Sequence, residues 1–235
     1  MTEAKKRNPS MVFYGLPWAW PAWVGGGSSS PWTNISLPVR YIVDWVRGAK
    51  EKHDLDIAWI GDWNETPANW DYNLALRAAL DAAGFTSTRI AASDQGNGWA
   101  IPNNATQLAV IDAVAAHYPG VHGGPPPPQE KALLNALSKP MFAAEDGADT
   151  PYISSTWTRT VNQNYVPTPQ NSLFILPLTY IQSFDKETDL SEQVVLNISA
   201  TIAWNLITSY DNDLPYTGRG IMGVANTPWC GAFEP

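Results

Sequence analysis

The sequence predicts an α/β fold: a parallel sheet covered by helices. Three observations predict it. Short apolar runs alternate with segments of helical period along the 235-residue chain. The runs are apolar at successive positions, as strands buried on both faces are. Polar or aromatic residues follow nearly every run, at the strand ends where α/β folds gather their ligand-binding groups. A closed barrel and a doubly wound open sheet both fit this alternation. The chain length suits the barrel, and no Gly-x-Gly-x-x-Gly turn favours the open sheet.

The elements follow in order. Lys5, Lys6 and Arg7 read as the solvated end of a helix. MVFYGLPW, near Val12, is a strand that ends at Pro17-Trp18. GGGSSSPW is a loop, and it lacks the Lys-Ser/Thr of a phosphate-binding turn. LPVRYIVDWVRGAKEKH is a helix with Val39, Ile42, Val43 and Val46 at helical spacing and Gly48 near its end. IAWIGDW, around Ile57, is the second strand. NWDYNLALRAALDAAGF is a helix with Asn69 or Asp71 as N-cap and Gly84 as its stop.

TRIAASD, around Ile90, is the third strand. A short helix in NNATQLAVID precedes the fourth, AVAAHY, around Val114. PPPPQEKALLNALS opens on a rigid proline run and becomes a helix. PMFAAED, around Phe142, is the fifth strand, ISSTWTRTVNQNY is helical, and ATIAWNLIT, around Ile202, is the sixth strand. Residues 166–196 break this rhythm, with three prolines and no clear period. A structureless connection of that length is uncommon in a compact domain, so it reads as an atypical insertion.

Composition narrows the function. The net charge is −8 with a pI near 4.7, and no basic patch tracks through the chain, which points away from nucleic acid. Cys230 is the single cysteine, so no internal disulfide forms. His53, His117 and His122 are too few and too badly spaced for a zinc site. No apolar stretch reaches membrane-spanning length, and the polar first residues do not read as a signal peptide. Asn-x-Ser/Thr triplets at Asn34, Asn64, Asn104 and Asn197 would permit glycosylation. Eight of the 12 tryptophans fall in the first seventy residues, where some are expected to form a ligand platform and most to pack.

The chemistry centres on two glutamates. Glu65 follows the second strand and Glu145 closes the fifth. About three strand–helix units separate them, so one barrel mouth would hold both. A retaining glycosidase needs two such carboxylates. One protonates the leaving oxygen and later deprotonates water, and the other attacks the sugar carbon. Trp63 is expected to wall the acid and so raise its pKa, and Asn64 to hydrogen-bond a sugar hydroxyl. His117 stands at a strand end and is a candidate pocket residue. Asp94 and Asp146 are expected in supporting or loop positions, and Cys230 is expected to be inert.

GLPWAWPAWVG, GAKEKHDLDIAWIGDWNE, IAASD, AAHYPG, AEDGAD, NQNY and ATIAWNLITSYDNDLPY occur in this order. Together they resemble glycoside hydrolase family 59, the galactosylceramidases, from about Ala4 to Trp229 with one break. The resemblance implies a (β/α)8 catalytic barrel with Glu65 as acid/base and Glu145 as nucleophile. It implies that Trp18 lines the galactose pocket, that Asn64 contacts the sugar and that Tyr216 sits near the nucleophile. The implied reaction removes β-galactose from galactosylceramide and related lipids in the lysosome. No cofactor is implied, and a lipid-presenting activator protein is the expected partner.

The resemblance starts at what that family counts as strand 3. About six of eight strand–helix units are therefore expected, as a partial barrel domain over residues 1–235. The N-terminal units and the C-terminal β-sandwich and lectin-like domains have no counterpart. Ala148 stands where relatives carry serine, and Thr156 where they carry a disulfide cysteine. Removing residues 166–196 would restore the family's reading. An inactive fragment, a carbohydrate-binding pseudoenzyme and another retaining β-glycosidase of the same barrel superfamily are the alternatives.

Overall fold

The computed structural model describes residues 1–25, 30–96, 99–117, 132, 137–146, 199–203, 207–209, 222–224 and 233–234. Six strands form one sheet: β1 (Tyr14–Gly15), β2 (Trp59–Gly61), β3 (Arg89–Gln95), β4 (Ala113–His117), β5 (Met141–Asp146) and β6 (Ala200–Ala203). They lie side by side in chain order and every pairing is parallel. The order never reverses, so these strands do not form a doubly wound sheet.

Each predicted strand is present, with two differences in extent. β1 is only two residues long, and Val12 before it is exposed. The run ATIAWNLIT does not stay in one sheet. β6 stops at Ala203, and Ile207–Ser209 forms β7 of a small second sheet. There it pairs in parallel with β8 (Met222–Val224), which pairs antiparallel with β9 (Phe233–Glu234). An apolar run signals burial but not which sheet its two halves join.

Four α-helices lie among the described residues: α1 (Thr2–Arg7), α2 (Ser36–His53), α3 (Trp70–Ala82) and α4 (Ala105–Val110). In α2, Val39, Ile42, Val43 and Val46 are buried, as their spacing predicts. Gly48 does not end this helix; Asp54 does, in a left-handed conformation with φ 51°. In α3 the Asn69 side chain accepts a hydrogen bond from Tyr72 N, and Gly84 after the helix has φ +85°. Asn69→Ala leaves that amide unsatisfied and is expected to destabilise the fold by about 1 kcal/mol, measured by urea denaturation. The predicted helices in PPPPQEKALLNALS and ISSTWTRTVNQNY and the insertion at residues 166–196 lie outside the described residues, Ala132, Leu137 and Ser138 apart.

The two faces of the sheet differ. Ile60, Ile90, Ala92, Val114 and Ala143 join α2 and α3 residues such as Val46, Leu76 and Leu80 in the larger core. Trp59, Ala91, Ala113, Ala115, Phe142 and Ala144 form a second cluster. Trp59 on β2 and Phe142 on β5 meet edge to face at 4.8 Å between centroids. Two strands lie between them, and neighbouring strands sit about 4.8 Å apart. That contact requires the sheet to curl toward this face. The intervening alanines leave room for it. The result is a curled parallel α/β half-barrel.

Candidate active site

The C-terminal ends of β2 to β5 bring four titratable side chains together. Glu65 lies in the turn after β2, Asp94 near the end of β3, His117 at the end of β4 and Glu145 near the end of β5. His117 pairs in register with Glu145 across β4–β5. Register shifts fall at these same ends: between Ala92 and Gln95, and between Ala116 and His117. Bulges at such positions re-aim side chains.

The β3 end is also strained. Ser93 and Asp94 have φ of 128° and 32°, and Glu65 in the β2 turn has φ 50°. Non-glycine residues hold such angles only where surroundings over-determine them. At β3 the buried Ser93 hydroxyl does this. It donates to Ala115 O at 3.0 Å and accepts from Ala100 N at 3.3 Å. Gly96 lies beside the acid: a Cβ there would make an ordinary contact with Glu65 Oε1 at 3.4 Å.

His117 is fully buried at the centre of the group. Its Nε2 is 3.0 Å from Oδ2 of the equally buried Asp94. Its Nδ1 faces Glu65 Oε1 at 3.5 Å and Glu145 Oε2 at 3.7 Å. One donor atom from each of Glu65, His117 and Glu145 lies within 4.8 Å of the other two. The glutamate environments differ. The Glu65 side chain is 53% exposed and that of Glu145 9%.

Burial pushes the His117 pKa down, but the Asp94 hydrogen bond and charge, with Glu145 and Glu65, outweigh it and leave it raised. Burial raises Asp94, against the pull of its His117 hydrogen bond. Beneath the group, burial raises Asp62 to about 7, opposed by a hydrogen bond from Asn73 and reinforced by Asp94. Asn73 Nδ2 donates to Asp62 Oδ2 at 3.1 Å. Burial also raises the Tyr14 hydroxyl, with Asp94 and Asp62 adding to it. A Cβ on Gly61 would come within 2.3 Å of that hydroxyl, so glycine is required at the end of β2.

The remaining predicted residues are placed as follows. Asn64 stands beside Glu65, its N–H donating to Pro17 O at 2.9 Å. Its Oδ1 is buried with no hydrogen-bond partner among the described residues. Trp18, 54% exposed, lies in the loop after β1, and its carbonyl accepts from Trp63 Nε1 at 3.3 Å. Trp63 packs edge-on against Trp20 and Trp32 and so belongs to an aromatic cluster under that loop. Tyr216 lies outside the described residues. Sequence reasoning left Asp94 in a supporting place.

The chain is 36% identical over 242 residues to a galactocerebrosidase of Mus musculus, covering 99% of this chain and 30% of that protein. With the galactocerebrosidase of Homo sapiens it shares 35% over 240 residues, again 99% of this chain and 30% of the relative. A putative galactocerebrosidase of Caenorhabditis elegans is 26% identical over 230 residues, 95% of this chain. The chain thus spans about 30% of the length of these curated relatives. The model of glycosyl hydrolase family 59 matches residues 1–235, and the chain belongs to that family.

Proposed function

We propose that this chain carries the catalytic carboxylates of a retaining glycoside hydrolase that removes β-galactose from galactosylceramide-type lipids. The observation that carries the proposal is the convergence of Glu65 and Glu145, with acid oxygens within 4.8 Å, at one end of a parallel sheet. Retaining enzymes hold their carboxyl groups roughly 5–5.5 Å apart, and inverting enzymes about 6.5–9.5 Å apart to admit a water between them. Family membership and the galactocerebrosidase relatives supply the substrate class.

The environments of the two glutamates support separate roles. Half-exposed Glu65 exchanges protons with the leaving oxygen and then with water, as an acid/base must. Buried Glu145 is held for in-line attack on the anomeric carbon. Asn64 Oδ1 is an unsatisfied acceptor for a sugar hydroxyl, and Trp18 offers an exposed aromatic face to the galactose. Tyr216 is read as a further partner of the nucleophile on family grounds. His117 acts inside the charged group. Its acidic neighbours outweigh burial and favour its protonated form, and on that ground the cluster is read as proton-sharing.

On the same grounds we read β1–β6 as strands 3 to 8 of a (β/α)8 barrel, residues 1–235 as part of its catalytic domain, and 166–196 as an insertion. A lysosomal location and a lipid-presenting activator protein belong to this reading. The full-length gene product is expected to release galactose from galactosylceramide well ahead of glucose from glucosylceramide. Equal rates on the two lipids would instead favour a broad-specificity glycosidase of the same barrel class.

A further inference from the structure

The retaining mechanism moves a negative charge. Before attack, Glu145 is ionised and Glu65 protonated. In the glycosyl-enzyme, Glu145 is esterified and Glu65 ionised, because its proton has left with the aglycone oxygen. The pair carries one negative charge throughout, but that charge changes residue. His117 Nδ1 stands 3.5 Å from one carboxylate and 3.7 Å from the other, so a cation there serves both states almost equally.

Resting on the functional reading above, we propose that Asp94 anchors His117 as a stationary counter-charge to the negative charge that passes between Glu145 and Glu65. Asp94 is a positioning residue. Its ionised carboxylate can only accept, so it fixes a proton on His117 Nε2 and orients the ring. The second proton then sits on Nδ1, between the glutamates. The titratable groups facing the ring are Asp94 from β3, Glu65 from the β2 turn and Glu145 from β5, with Asp62 and Tyr14 behind Asp94. All are acidic, so among the described residues His117 is the one cationic side chain of the group. The strained φ of Asp94 and the buried Ser93 bonds fit a residue held in place for its side chain.

The test compares parent, Asp94→Asn and Asp94→Glu proteins. Selectively 15N-histidine-labelled full-length protein is expected to show a slowly exchanging Nε2 proton on His117, assigned by its loss in His117→Asn. Asp94→Asn is expected to abolish that proton signal while the fold persists. With aryl β-galactosides, kcat is expected to fall about 10- to 100-fold, the range seen for orienting partners of functional histidines, at a nearly unchanged KM. Both steps slow: substrates with good leaving groups, limited by deglycosylation, lose as much as those with poor ones. The alkaline limb set by His117 moves to lower pH, and Asp94→Glu recovers part of the rate.

Persistence of the His117 proton in Asp94→Asn would overturn the anchoring. Slowing of only one step would overturn the shared counter-charge. Parent rates in Glu65→Gln and Glu145→Gln would defeat the functional reading instead, with the imidazole signal still reporting on the Asp94–His117 pair.

Discussion

Glu145→Gln is expected to abolish galactoside hydrolysis, and Glu65→Gln to cripple it in a way that an external nucleophile reverses. Glutamine keeps the shape of each side chain but can neither attack nor transfer a proton. Loss of the nucleophile removes the covalent route altogether. Loss of the acid/base forfeits about 10²- to 10⁴-fold, most severely for poor leaving groups that need protonation. The two are separable with azide. In Glu65→Gln, an activated aryl galactoside still forms the glycosyl-enzyme, and azide attacks it without needing a general base. The product is β-galactosyl azide, and turnover rises with azide. In Glu145→Gly, which vacates the position of the carboxylate, azide can only take its place and gives the α-anomer. Identifying the anomer by NMR assigns each role. Rescue with the anomers reversed would exchange the assignments. Parent-like rates in either variant would remove that glutamate from the mechanism.

The second large effect concerns Asp62, buried beneath the site with a folded-state pKa near 7 against an ordinary 3.8. A carboxyl raised on folding binds its proton more tightly in the folded state. Its contribution to stability is therefore full below pH 4 and is lost as pH rises through 7. A gap of about 3 pH units corresponds to at most roughly 4 kcal/mol. The raised His117 acts in the same sense, losing its contribution above its own folded pKa. The parent is thus expected to be markedly more stable at pH 5 than at pH 8. Asp62→Asn keeps an acceptor for Asn73 but carries no charge to bury. It is expected to match the parent near pH 4–5 and to exceed it at pH 8, measured by denaturant midpoints. A parent–variant difference that does not change with pH would show that Asp62 does not titrate in this window.

Much of this was legible in the sequence. The six strands, the α2 and α3 helices, the Asn69 cap and the left-handed Gly84 follow from local chemistry: side-chain period, capping oxygens and glycine's tolerance of positive φ. Glu65 and Glu145 were legible because a strand end in a parallel sheet is a predictable place for function. Trp63 was not. Proximity in sequence to Glu65 suggested a wall for the acid, but its indole turns to Trp20, Trp32 and the Trp18 carbonyl. Neighbouring residues share a backbone, not a direction.

The sequence by itself determined the alternation, the parallel sheet and the two glutamates at its edge. Tertiary structure alone decided that Asp94 and His117 stand between them. Which side chains meet across β2 to β5 depends on register, on the irregularities after Ala92 and Ala116, and on the curl that brings Trp59 to Phe142. Those are non-local quantities, set by the packing of whole strands. No period in a single strand records them.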